Sequence, residues 1–72
     1  MSTTAITVTG MTCGHCTASV TEELKTIPGV TDVAIDLVKG GDSPVTITSD
    51  AELSQDAITD AVTEAGYTVT FA

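Results

Sequence analysis

The chain has 72 residues, enough for one compact domain (residues 1–72) and too few for a second. Its hydrophobic content of 42% is too high for a disordered tail, so a small folded core is expected. Ten acidic residues against two lysines give a formal net charge of −8. That balance argues against nucleic acid and against an anionic membrane surface, because both recruit clustered cations.

In chain order, the pattern from Thr4 to Thr9 comes first. Ile6 and Val8 alternate with Thr7 and Thr9, as in a half-buried strand. Gly10 ends it, and Met11-Thr12-Cys13-Gly14-His15-Cys16 reads as a loop. From about Cys16 the period becomes helical. Val20, Leu24 and Ile27 share a face, with Ala18, Glu22 and Lys25 on the other side. Pro28-Gly29 stops that helix. Val33, Ile35 and Leu37 then alternate with Asp32, Asp36 and Val38 in a second strand. Lys39 to Pro44 is a hairpin-type loop, and Val45 and Ile47 mark a third strand with Pro44 as its first residue. Ser54 is the expected cap of a second helix, with Leu53 and Ile58 as a hydrophobic staple. Ile58, Ala61, Val62 and Ala65 form its buried stripe, and Gly66 closes it. Tyr67, Val69 and Phe71 alternate with Thr68 and Thr70 in a last strand.

The order is strand-helix-strand-strand-helix-strand. It predicts an α+β fold, a ferredoxin-like βαββαβ open sandwich in which two helices cover one face of a four-stranded antiparallel sheet. The N-terminus has neither a basic stretch nor an apolar run. No segment approaches the roughly 20 apolar residues of a membrane span. The expectation is a cytoplasmic protein that is not membrane-embedded. The abundance of threonine has no explanation in the sequence beyond β-propensity and solubility.

The chemistry concentrates at Cys13 and Cys16. Two cysteines are too few for a disulfide-stapled miniprotein or for a four-cysteine zinc site. Their place between a strand and a helix N-terminus favours thiolate over thiol. A c-type haem site would need His after the second cysteine, where Thr17 stands. Two chemistries remain open on the residues alone. One is Cu(I), a soft ion content with two thiolates. The other is dithiol redox exchange, since Cys-Gly-His-Cys is also the active-site tetrapeptide of disulfide isomerases. Those enzymes resemble Trp-Cys-Gly-His-Cys-Lys, whereas Thr12 precedes and Thr17 follows here. They also need about a hundred residues and a different element order.

Gly10-Met11-Thr12-Cys13-Gly14-His15-Cys16 resembles the Gly-Met-x-Cys-x-x-Cys signature of heavy-metal-associated domains. The likeness spans the chain, through Val20, Leu24, Pro28-Gly29-Val30 and Gly66-Tyr67. It implies a bacterial copper chaperone that binds Cu(I) through Cys13 and Cys16 and passes it to a copper-transporting P-type ATPase. It further implies that Met11 packs beneath the loop without ligating, and that Tyr67 lies near the site. Thr12, where related zinc and cadmium pumps carry Asp, would favour Cu(I) over Zn(II). His15 is read either as a solvated loop residue or as a tuning neighbour or weak third ligand. Asp56, Asp60 and Glu64 recur every fourth residue along the second helix and are read as a solvated face, with docking of a basic partner as the alternative. No covalent chemistry is required, so the chain is not expected to be an enzyme. Four sulfurs from two copies would also suffice for a copper-bridged homodimer. A second origin consistent with the likeness is a metal-binding domain from a heavy-metal P-type ATPase.

Overall fold

The computed structural model describes residues 1–12 and 14–71. Its elements are β1 (Ser2–Thr9), α1 (Gly14–Lys25), β2 (Val30–Ile35), β3 (Asp42–Ser49), α2 (Gln55–Glu64) and β4 (Thr68–Phe71). The strands form one antiparallel sheet in the order β2-β3-β1-β4. This is the open sandwich expected from the sequence.

One face of the sheet is the core. Ile6 and Val8 of β1 and Val45 and Ile47 of β3 are buried there against Val20 and Leu24 of α1 and Ile58, Ala61 and Val62 of α2. At roughly 1.5–3 kcal/mol for each fully buried aliphatic side chain, this cluster is the main stabilising term of a small domain. Two serines end the buried row of β3. Ser43 Oγ accepts from the Val38 N–H at 3.0 Å, and Ser49 Oγ donates to the Ala51 carbonyl at 2.6 Å. Neither hydroxyl is therefore left unpaired in the interior.

The other face explains the threonines. Thr3, Thr7 and Thr9 of β1, Thr46 and Thr48 of β3, and Thr68 and Thr70 of β4 all fall on the uncovered side. Several stand directly opposite one another, as Thr3↔Thr48, Thr7↔Thr70 and Thr9↔Thr68. A β-branched side chain with a hydroxyl suits a pleated surface that meets water. Thr9 adds a hydrogen bond from its hydroxyl to Asp42 Oδ1 at 3.1 Å.

Several boundaries differ from the sequence reading: β1 already begins at Ser2, and α1 ends at Lys25, before Ile27. α1 begins at Gly14, so His15 and Cys16 lie in its first turn rather than in a loop. β2 runs from Val30 to Ile35, which leaves Leu37 and Val38 in the following loop. Pro44 is the third residue of β3, not its first. Its carbonyl accepts from Asp36 N–H at 2.9 Å, on the β2 side. The missing Pro N–H faces that same side, where β2 has already ended, so no ladder bond is lost. Tyr67 precedes β4 rather than opening it.

The second helix follows the expectation closely. Ser54 caps it by accepting from the Ala57 N–H at 3.1 Å. Its far end is a Schellman motif. Tyr67 N–H donates to Val62 at 3.1 Å and Gly66 N–H to Thr63 at 2.9 Å, with Gly66 at φ +92°. Only glycine adopts that backbone without strain.

Candidate metal centre

The site lies where β1 runs into α1. Gly10 turns the chain with φ +98°, and the next side chain, Met11, is fully buried. Met11 therefore pins the loop from below, as a flexible apolar filler does. Thr12 is exposed above it. Cys13 lies outside the described residues. Gly14 and His15 open α1, and both are exposed.

Cys16 is the third residue of α1 and is half-buried against the edge of the core. The sulfur is thus carried on a helical turn and not on a free loop. The Thr12 hydroxyl lies 3.9 Å from Cys16 Sγ. Within that first part of α1, the Thr17 hydroxyl donates to the Gly14 carbonyl at 2.7 Å and the Ser19 hydroxyl to the His15 carbonyl at 3.1 Å. These hydroxyl back-bonds are satisfied locally, within the turn that carries the sulfur.

Two further segments close around the loop. Tyr67, set in place by the Schellman motif, reaches Gly10. A Cβ built on Gly10 would lie 3.7 Å from Tyr67 Cδ1. On the other side, the Gly40 N–H donates to the Met11 carbonyl at 2.9 Å. Gly40 itself has φ +67°. The β2–β3 loop is thereby tied to the backbone just before Thr12. This second wall has no counterpart in the sequence reading. The Gly40-Gly41 pair signals a turn, but nothing in it says which segment that turn will touch.

Among the described residues, no three His, Cys, Asp or Glu side chains converge on one point. His15 stands exposed on α1, and Asp56, Asp60 and Glu64 are all exposed on α2, away from the core-facing Ile58 and Val62. The acidic stripe runs the length of α2, and Glu64 is its last residue. A carboxylate there opposes the helix dipole, so it is not placed for helix stability.

The heavy-metal-associated domain model matches residues 5–68. The chain belongs to the heavy-metal-associated domain family. It is 38% identical over 69 residues to the copper chaperone CopZ of Staphylococcus aureus (strain bovine RF122 / ET3-1), covering 96% of this chain and 98% of that one. It is 37% identical over 67 residues to copper-transporting ATPase 2 of Rhizobium meliloti (strain 1021), covering 93% of this chain but 8% of the ATPase. Among solved structures, the Hg(II) complex of the N-terminal domain of Tn501 mercuric reductase superposes with a TM-score of 0.75 at 38% identity, covering 96% of each chain. No helix among the described residues is long and apolar enough to cross a membrane.

Proposed function

We propose that this chain is a carrier of Cu(I), held by the sulfurs of Cys13 and Cys16, and that it delivers the ion to the metal-binding domain of a copper-transporting P-type ATPase. The observation that carries this reading is Cys16 on the first turn of α1, half-buried and beside the Thr12 hydroxyl, in a family whose relatives include a copper chaperone matched over nearly its whole length. Cu(I) suits such a donor set because it is soft and tolerates two thiolates. Thr12 supplies no carboxylate, so a hard extra oxygen for Zn(II) is missing at that position. Met11, buried beneath the loop, supports the site without joining it. Tyr67 shields one side, and His15 adds an exposed imidazole at the rim.

Transfer proceeds by ligand exchange. An incoming cysteine loses its proton and its sulfur bonds the ion, giving a three-sulfur intermediate. The bond to one original sulfur then breaks, and that thiolate takes up a proton. Copper stays Cu(I) throughout, no electron moves, and no free ion is released. Asp56, Asp60 and Glu64 contribute attraction towards a basic face on the recipient. The chain acts as a carrier of metal, not as a catalyst of covalent chemistry.

Hg(II) is a second reading, favoured by the 38% likeness to an Hg(II)-binding domain. It too is soft and accepts two thiolates. The experiment is an anaerobic competition of the reduced protein against a Cu(I) chelator, with Hg(II) and Zn(II) in parallel, followed by mixing the copper-loaded chain with an ATPase metal-binding domain. Cu(I) uptake at one ion per chain, followed by transfer to the domain, supports the proposal. Loss of Cu(I) to the chelator with retention of Hg(II) overturns it in favour of the second reading.

A further inference from the structure

The β2–β3 loop stands beside the metal loop and is firmly built. Its base is Ser43, a fully buried serine in the same row of β3 as Val45 and Ile47. A hydroxyl buried in such a row is stable only when it is bonded. Ser43 Oγ accepts from the Val38 N–H at 3.0 Å and lies 3.4 Å from the Val38 carbonyl, so it clamps both polar groups of that residue. Gly41 N–H donates to the same carbonyl at 3.1 Å. Gly40 has φ +67°, and a Cβ on Gly41 would come within 3.0 Å of Val38 Cγ1. The turn therefore calls for both glycines. What it delivers to the metal loop is the Gly40 N–H, which donates to the Met11 carbonyl at 2.9 Å.

Met11 anchors the metal loop. Its exposure is 0%, main chain included, so its carbonyl cannot turn to water if Gly40 lets go. The direction of a carbonyl fixes the peptide plane that follows it, here Met11–Thr12. Thr12 then stands with its hydroxyl 3.9 Å from Cys16 Sγ. Gly14, the next residue described, is held at the start of α1, where its carbonyl accepts from the Thr17 hydroxyl at 2.7 Å. The described chain on both sides of position 13 is thus tied to the protein itself.

We infer that Gly40 is a positioning residue for copper binding: its N–H, by holding the Met11 carbonyl, presets the two-cysteine loop, so that little ordering remains for Cu(I) to impose. This rests on the carrier reading above. A preset loop binds more tightly because the ordering cost is removed from the binding step. Gly40 has no side chain with which to ligate, so its effect runs through the backbone of Met11 and Thr12. Ser43 acts one step further back, by holding the turn that presents the Gly40 N–H.

The test replaces one amide by an ester in the full 72-residue chain, assembled by chemical ligation. The exchange turns an N–H into an oxygen and adds no side chain. In the first variant the Lys39–Gly40 amide becomes the ester, which removes the Gly40 N–H. In the second the Gly40–Gly41 amide does, which removes the Gly41 N–H that bonds Val38 within the same turn. Each loses one loop hydrogen bond, and only the first releases the Met11 carbonyl. Each reduced chain is titrated with Cu(I) against bathocuproine disulfonate, and the order parameter of the Thr12 amide is measured by NMR without metal. The first ester should hold Cu(I) about tenfold less tightly, the ratio set by one hydrogen bond to a buried acceptor, and its Thr12 order parameter should fall. The second should stay within about twofold of the parent and leave Thr12 unchanged. Parent-like affinity, or an unchanged Thr12 amide, in the first ester overturns the proposal. So does equal weakening by both esters, which would make the turn a stabilising hairpin and nothing more. Should the first ester fail to fold, Ser43→Ala releases Val38 instead, and parent-like Cu(I) affinity alongside fast exchange of the Gly40 amide overturns the proposal too. A parent chain that surrenders Cu(I) to the chelator overturns the carrier reading. The Thr12 order parameters, read without metal, then decide by themselves whether Gly40 presets the loop.

Discussion

Replacing Met11 by alanine separates its two conceivable roles, core filler and sulfur ligand. The side chain is fully buried beneath the metal loop. The change removes two carbons and a sulfur, worth about 2 kcal/mol of transfer free energy at ~0.8 kcal/mol per methylene-sized group. The cavity left behind adds to this, so a loss of about 3 kcal/mol is expected, within the ~2–5 kcal/mol range of Met→Ala changes. A domain of this size has a total stability of roughly 4–11 kcal/mol, so the variant folds but with a thin margin. With a urea slope near 1 kcal/mol/M for so short a chain, the midpoint should fall by about 3 M. Urea titration followed by circular dichroism, at equal protein concentration, reads this directly. Met11→Leu preserves volume and should cost under ~1.5 kcal/mol while leaving Cu(I) affinity intact. A Met11→Ala loss below about 0.5 kcal/mol, or a folded Met11→Leu that no longer holds Cu(I), refutes the assignment of Met11 to the core.

The remaining predictions concern the walls of the site. Gly10→Ala forces a Cβ into a backbone with φ +98° and should destabilise by about 1–2 kcal/mol, visible as a lower thermal midpoint. Ser43→Ala strands the Val38 amide that Ser43 Oγ accepts from, costing about 1–3 kcal/mol. The Gly40 amide should then exchange with deuterium faster by NMR, because the loop that holds it is loosened. Thr12→Asp places a carboxylate beside Cys16 and should raise Zn(II) affinity about tenfold in competition titrations, with Cu(I) affinity little changed. Asp60→Lys combined with Glu64→Lys should slow delivery to a basic ATPase domain and flatten its dependence on ionic strength, measured by stopped-flow transfer at increasing salt.

The sheet, both helices and the buried stripe were legible because each element announces itself in hydrophobic period. Ile6 and Val8, Val45 and Ile47, and Ile58, Ala61 and Val62 all occupy the faces their spacing predicts. Each misplaced boundary has its own physical cause. α1 starts two residues early because Gly14 and His15 carry no apolar signal, although the backbone is already helical there. β2 starts at Val30, but a register shift between Val30 and Asp32 breaks the alternation and hides that beginning. At its other end the alternation continues through Leu37 and Val38 after the strand has stopped, since Ser43 holds Val38 in a turn instead. The threonine content became intelligible only with the register, which lines those side chains along the uncovered face. At the site, Met11 is buried and Tyr67 lies beside Gly10. The β2–β3 wall was invisible, because Gly40 reaches Met11 across more than twenty residues of sequence, and no local pattern encodes so distant a contact.

The central claim is that one Cu(I) is held by the sulfurs of Cys13 and Cys16. Copper K-edge X-ray absorption on the reduced, stoichiometrically loaded chain tests it most directly, with Cys16→Ser alongside. The account predicts a Cu(I) edge, two or three sulfur neighbours and no nitrogen or oxygen neighbour in the parent. Cys16→Ser should lose the ion to a chelator that the parent resists. A nitrogen or oxygen neighbour in the parent, or a Cys16→Ser chain that holds Cu(I) as tightly as the parent, contradicts it.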